Sequence, residues 1–202
     1  MSRISFPAPE SMDAAQRAVY DDIIKGPRAR LIGPLRAAIH NPALADRWQK
    51  MGALLRFDTS IPPRSSELAI LATARHWNSQ LEWFIHAAAA QQAGLPQMVI
   101  DAMLVAAPPV FEDATDAAVY EYARQLLQNG AVDEPAYQQV LAMYGEAGTV
   151  ELTAIIGYYT MVSMTLNAHQ IPLPDAGDVP PLHPVGANPT NRRTDLPPAG
   201  VA

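Results

Sequence analysis

Residues 67–95 read ELAILATARHWNSQLEWFIHAAAAQQAGL, two helical periods joined by a short polar turn, and their reading decides the fold. On the first period Glu67 is in phase with Ile70, Leu71 and Ala74, the i, i+3, i+4, i+7 stripe that turns toward a core. A carboxylate in that stripe is costly unless a partner meets it. On the second, Glu82 and His86 are i, i+4 neighbours in a segment apolar nearly all round: Leu81, Trp83, Phe84, Ile85, then Ala87 to Ala90. If His76-Trp77-Asn78-Ser79 folds the two into a hairpin, Glu67 reaches the same space. Two carboxylates and an imidazole then share a nearly dry pocket, the equipment of acid–base chemistry.

Other roles for the same residues stay open. Ser79-x-x-Glu82 also reads as a capping box, in which Glu82 satisfies the first backbone amides of its helix. His86 reads equally as a satisfied core histidine. Glu67 lies near a helix start, where the macrodipole favours a carboxylate. Glu67, Glu82, His86 and His169 are chemically able to ligate a metal, but only one carboxylate–imidazole pair has ligand spacing, so no metal is assigned.

Outward from this stretch, punctuation divides the chain into eight helical segments. Ser11 caps a helix to about Lys25, ended by Gly26-Pro27. RARLIGPLRAAIH connects to Asn41-Pro42, where Asn as cap and Pro at the first helical position start a helix to about Phe57. The Ser60-Ile61-Pro62-Pro63 run opens the helix of Glu67, extending to about Trp77, and Ser79 opens that of His86, closed by Gly94. A short helix follows Pro96 to about Ala106. Three more run from about Asp113 to Gln128, Asp133 to Tyr144 and Thr149 to His169. The last, with LTAIIGYYTMVSMTL, is apolar on all sides, as the His86 helix is. A chain of this length barely encloses two such helices, which predicts a homo-oligomer.

Composition agrees with an all-α protein and excludes several functions. Alanine, the best helix former, is the commonest of the 202 residues, and alternating β-branched runs are scarce. With no cysteine, thiolate metal sites, iron–sulfur clusters and thiol nucleophiles are removed. A net charge of −6 offers no basic footprint for a nucleic acid. No segment reads as a signal peptide, and Leu152 to Leu166 is too short and too polar to cross a membrane. These features predict a cytoplasmic protein with no nucleic-acid or membrane partner. Eight of the 19 prolines lie from Pro172 onward. Residues 1–174 are therefore read as one all-α domain and 175–202 as a proline-rich tail lying on a protein surface, that of a neighbouring subunit included.

The stretch 67–95 resembles the signature of the carboxymuconolactone decarboxylase family, which shares an all-helical fold with the alkylhydroperoxidase D proteins. Glu67, the Glu82-Trp83 pair fifteen residues on, His86 and the Ala-rich run to Gly94-Leu95 agree together. GPLRAAIHNPALADRWQKMGALLRF is similar to the family's lead-in helix, and GTVELTAIIGYYTMVSMTLNAHQIPLP to its closing helix, so the resemblance spans about residues 30 to 174. It implies an alkylhydroperoxidase D-like bundle of about eight helices. Where the peroxidase branch carries Cys-x-x-Cys, this chain has Ser79 and Glu82, which excludes a disulfide relay. What the resemblance implies instead is decarboxylation of small carboxylated lactones from aromatic catabolism, without metal or organic cofactor. This chain is longer than the simple decarboxylases, with an N-terminal extension and the tail.

Cofactor-free loss of carbon dioxide requires a group to hold the carboxylate, one to stabilise the developing enolate and one to protonate carbon. The expected roles are proton delivery by His86, orientation of its ring by Glu82, and tuning or a second acid–base function for Glu67. Arg75, Arg30 or Arg36 would grip the small-molecule carboxylate. Trp83, Tyr158 and Tyr159 would wall the pocket. The same equipment serves an isomerase, a lactone-opening enzyme or another lyase acting on a keto acid. The alternative is a non-catalytic ligand-binding or assembly protein that keeps the fold. The two classes part on Glu82: toward His86 beside a pocket, or back onto its own helix start.

Overall fold

Helix starts follow the polar caps closely, with informative exceptions. The structure, a computed structural model, describes residues 2–173, Leu182 and residues 193–200. Its helices are α1 (Ala14–Lys25), α2 (Leu35–Ala38), α3 (Pro42–Phe57), α4 (Pro63–His76), α5 (Gln80–Gln92), α6 (Gln97–Leu104), α7 (Ala114–Asn129) and α8 (Glu134–His169), after a 3-10 turn at Pro9–Ser11. Among the described residues there is no strand, only an isolated bridge between Val110 and Gly200.

Ser11 ends the 3-10 turn, and α1 is capped by Asp13 instead. Asp13 Oδ1 accepts from the Gln16 backbone at 2.8 Å while Gln16 Oε1 accepts from the Asp13 backbone at 3.1 Å, a reciprocal box that outcompetes a single serine. Asn41 caps α3 as its sequence implies, accepting from the Leu44 amide at 3.1 Å. The stretch read as a connection holds the short α2. The two helices expected after Asp133 form one long element, interrupted at Gly145, whose φ of 66° and ψ of −175° are non-helical.

At the centre lies α4, packed against α5, α7 and α8. Leu68, Leu71, Ala72, Leu152 and Ile155 are fully buried there. The expectation that α5 is buried on all sides is corrected: Leu81, Glu82, Trp83 and His86 are buried, but Phe84 and Ile85 are partly open and border a cavity. On α8, Val150, Met161 and Met164 are exposed along one stripe, while Tyr158, Tyr159 and Val162 face inward. Among the described residues no helix is long and apolar enough to cross a membrane.

Most of the proline-rich tail, residues 175–202, lies outside the described residues. Its described part, 193–200, lies against this chain's own helices. The Thr194 amide donates to His76 O at 2.7 Å, Tyr120 Oη to Pro197 O at 2.8 Å, and the Gly200 amide to Pro109 O at 2.8 Å. Thr194 and Leu196 are buried.

Candidate active site

The α4–α5 turn brings Glu67, Glu82 and His86 together. Pro62-Pro63 starts α4 so that Glu67 falls on its second turn, facing α5, and Ser79 starts α5 so that Glu82 and His86 stack one turn apart. His86 Nδ1 is 2.6 Å from Glu67 Oε2 and Nε2 is 3.3 Å from Glu82 Oε2. Side-chain exposure is 2% for His86, 6% for Glu82 and 12% for Glu67, so Glu67 is the most open of the three.

Ser79 makes no side-chain capping bond, and Glu82 extends to the imidazole. A carboxylate on each ring nitrogen matches the doubly protonated ring, in which both nitrogens donate. Burial is the largest influence on His86 and pushes its pKa down, but the hydrogen bonds and charges of Glu67 and Glu82 together outweigh it and raise the value. The cluster therefore favours the protonated imidazole in a nearly dry setting.

Aromatic rings enclose it. Tyr159 meets His86 edge-on with centroids 5.0 Å apart, and Tyr158 packs against Tyr159 at 5.3 Å. Burial raises both phenol pKa values, so both stay protonated. Arg28 Nη2 donates to Tyr158 Oη at 3.4 Å, which leaves the phenol proton available to another acceptor. Gly52 on α3 makes this approach feasible, since a Cβ there would overlap both the Tyr158 hydroxyl and Arg28 Nη2.

Beyond Arg28 opens a cavity of about 580 Å3. Its walls are apolar, with Leu81, Phe84 and Ile85 from α5 and Phe57 from the end of α3, and its basic side chains are Arg28, Arg30, Arg36 and Arg56. A smaller cavity of about 430 Å3 lies toward the N-terminal segment and shares Arg30 and Arg36; Glu67, Glu82 and His86 line neither cavity directly.

Of the other candidates, Arg30 and Arg36 border the larger cavity, and Tyr158 touches it through Arg28. Trp83 is packed in the core and borders neither cavity. Arg75 is placed elsewhere. It is 1% exposed, and its guanidinium bonds Met103 O at 3.1 Å, Thr194 Oγ1 at 3.2 Å and Asn78 Oδ1. A side chain so committed anchors the C-terminal segment and does not face the cavity. His169 closes α8, its carbonyl accepting the Arg3 amide at 2.9 Å. Among the described residues no group of three or more His, Asp or Glu side chains is arranged to hold a metal ion. Arg28, Arg56 and Gly52 were not singled out from sequence. Arg28 directly follows the Gly26-Pro27 helix stop, the one local sign that its backbone leaves helical register there.

No family model and no curated protein matches this sequence. Solved structures do match. An alkylhydroperoxidase AhpD core, an uncharacterized peroxidase-related protein from Ralstonia eutropha JMP134, aligns with a TM-score of 0.68 at 14% identity over 86% of this chain and 93% of that one. A peroxidase-related protein from Silicibacter sp. TM1040 aligns at 0.66 with 13% identity over 86% and 92%. A variant of the debrominase Bmp8 in complex with 2,3,4-tribromopyrrole aligns at 0.65 with 14% identity over 87% and 95%. The fold is AhpD-like.

Proposed function

We propose that this chain is a cofactor-independent acid–base enzyme acting on a small carboxylated lactone or keto acid, with decarboxylation as its reaction. The observation that carries this reading is the placement of a carboxylate on each nitrogen of buried His86, which Tyr159, Tyr158 and Arg28 connect in turn to an arginine-bordered cavity. A core histidine needs one partner for its N–H. Two carboxylates favour its protonated form, which is wasteful for packing and useful for proton delivery.

In this scheme an arginine of the cavity wall holds the substrate carboxylate that is retained. The bond to the departing carboxylate breaks, its electron pair moves into the adjacent carbonyl as an enolate, and carbon dioxide leaves. Tyr158, kept protonated and polarised by Arg28, donates to the enolate oxygen. His86 passes its proton to carbon, with Glu82 holding the ring, and Glu67, the most open of the three, returns a proton from solvent. The same proton transfer without carbon loss gives an isomerase or a lactone-opening enzyme.

The solved neighbours support a catalytic use of this fold only by their names, peroxidase-related and debrominase. The Cys-free chain and the Glu67, Glu82 and His86 pattern support the decarboxylase branch. Association of identical subunits and a cytoplasmic location belong to the same proposal. The exposed apolar stripe of Val150, Met161 and Met164 supports the first.

The deciding experiment offers a panel of carboxylated lactones and β-keto acids and follows carbon dioxide release and solvent-deuterium uptake separately. Gas release that disappears in His86→Gln is expected. Deuterium uptake without gas replaces decarboxylation by isomerisation, and a wild-type rate in His86→Gln overturns the proposal.

A further inference from the structure

The larger cavity has an unusual charge balance. The chain carries 20 acidic and 14 basic residues, yet Arg28, Arg30, Arg36 and Arg56 border this one space and no acidic side chain does among the described residues. None of these four guanidiniums has a carboxylate within ion-pair distance among the described residues, whereas Arg17, Arg64 and Arg124 each do. Arg36 stacks on Phe6 with its guanidinium carbon 3.7 Å from the ring centroid. The buried Nε of Arg28 has no hydrogen-bond partner among the described residues. Four like charges gathered without counter-charge repel one another, and an anion relieves that repulsion.

Size and walls add a second constraint. At about 580 Å3 the cavity falls within the range of about 300–1,000 Å3 typical of sites that bury drug-sized ligands. Leu31, Ile32, Phe57, Leu81, Phe84 and Ile85 offer apolar surface to more than a carboxylate.

We propose that this cavity binds an amphipathic dianion, an apolar chain or ring carrying two negative charges at one end. In naming that occupant a substrate we rest on the proton-transfer function proposed above. Two carboxylates or one phosphate monoester supply the same dianionic head, and either suits the two-pronged donation of guanidinium groups. The apolar body lies against Phe57, Phe84 and Ile85, and the head meets the arginines, with Arg28 nearest the Tyr158 hydroxyl.

Titration calorimetry on the full chain, below micellar concentrations, compares octylsuccinate, octyl phosphate, decanoate and succinate. At least one octyl dianion is expected to bind about tenfold or more tighter than both decanoate and succinate, as a charged hydrogen bond or a buried tail is worth at least that much. Octylsuccinate ahead of octyl phosphate identifies a dicarboxylate head, and the reverse order a phosphate. Equal binding of decanoate and both dianions overturns the proposal, as does equal binding of succinate and octylsuccinate. Arg30→Gln, at an exposed position, and Arg56→Gln should each weaken the dianion severalfold, and unchanged affinity in both overturns it too. His86→Gln separates the two ideas. Dianion binding retained there, with no turnover of any carboxylate by the wild type, sinks the catalytic proposal alone. Turnover of small monocarboxylates at an unchanged KM in Arg30→Gln and Arg56→Gln sinks the dianion alone.

Discussion

Glu67 Oε2 lies 2.6 Å from His86 Nδ1, a contact that crosses between two helices and fixes the imidazole from outside its own helix. Its partner Glu82 holds the other nitrogen from within that helix. Glu67→Gln keeps an oxygen for Nδ1 but removes a charge. Turnover should fall by about tenfold or more, and His86→Gln by about 100- to 10,000-fold, as for loss of a general acid. Circular dichroism and thermal melts of both variants check that the fold persists. Full activity in His86→Gln would leave the imidazole a packing role only.

The same pair sets a pH dependence. Because the folded state raises the His86 pKa, its contribution to stability is complete below the ordinary value of 6.5 and is lost as pH rises through the folded value. The wild type's melting advantage over His86→Gln should therefore shrink on the alkaline side. Proton exchange in NMR should show the His86 ring still charged where a free histidine is neutral. Glu121 works in the opposite sense. Its hydrogen bond from Arg124 holds the carboxyl below its ordinary range, and that contribution is lost as pH falls.

Gly52 offers a test with an inverted sign. Alanine for glycine inside a helix ordinarily gains about 0.5–1 kcal/mol. Here the added Cβ meets the Tyr158 hydroxyl and Arg28, so Gly52→Ala should instead cost about 1–3 kcal/mol, as overpacking does. Binding of anions in the cavity should weaken with it. Denaturant titration and calorimetry on one sample measure both.

At the C-terminal segment, Thr194 Oγ1 accepts from Arg75 at 3.2 Å and from Asn78 Nδ2 at 2.8 Å. Thr194→Val should cost about 1–3 kcal/mol and speed amide exchange across residues 193–200. Acid should do likewise. Burial lowers the His76 pKa, its Nδ1 faces Thr194 O at 3.0 Å, and its buried Nε2 has no partner among the described residues. Arg193 opposes a charge there and Asp195 favours it, with burial the larger influence. Stability from neutral His76 is thus lost as pH falls below 6.5, and exchange measured at pH 5 against pH 7.5 reads it.

The exposed stripe on α8 predicts association with a second copy. Met161→Glu and Met164→Glu should each shift light-scattering mass toward the monomer with helix content unchanged. A monomeric wild type would remove this prediction.

Much of this architecture is visible in one dimension because it is local. Asn41-Pro42, Asp113 and Gly130 punctuate helices through contacts a few residues apart, and the Glu82–His86 spacing puts both side chains on one helical face. Glu67 needed only one further step, a short turn that returns the chain. Arg75 misleads because a guanidinium in the last turn of a helix ordinarily reaches solvent, and what covers it here, Thr194, is 119 residues away. Arg28, Arg56 and Phe57 border one cavity with Phe84 and Ile85 through packing that no periodicity encodes. The proline-rich composition of the tail gives no sign that Leu196 is buried.

At Gly145 the φ of 66° and ψ of −175° reset the rotational phase of the last helix. Rungs before the break and rungs after it keep separate azimuthal accounts, so inserting one residue among 134–144 would not spin Tyr158 and Tyr159 by 100° around their axis. An insertion after the break would, and it would carry both phenols away from the imidazole they enclose.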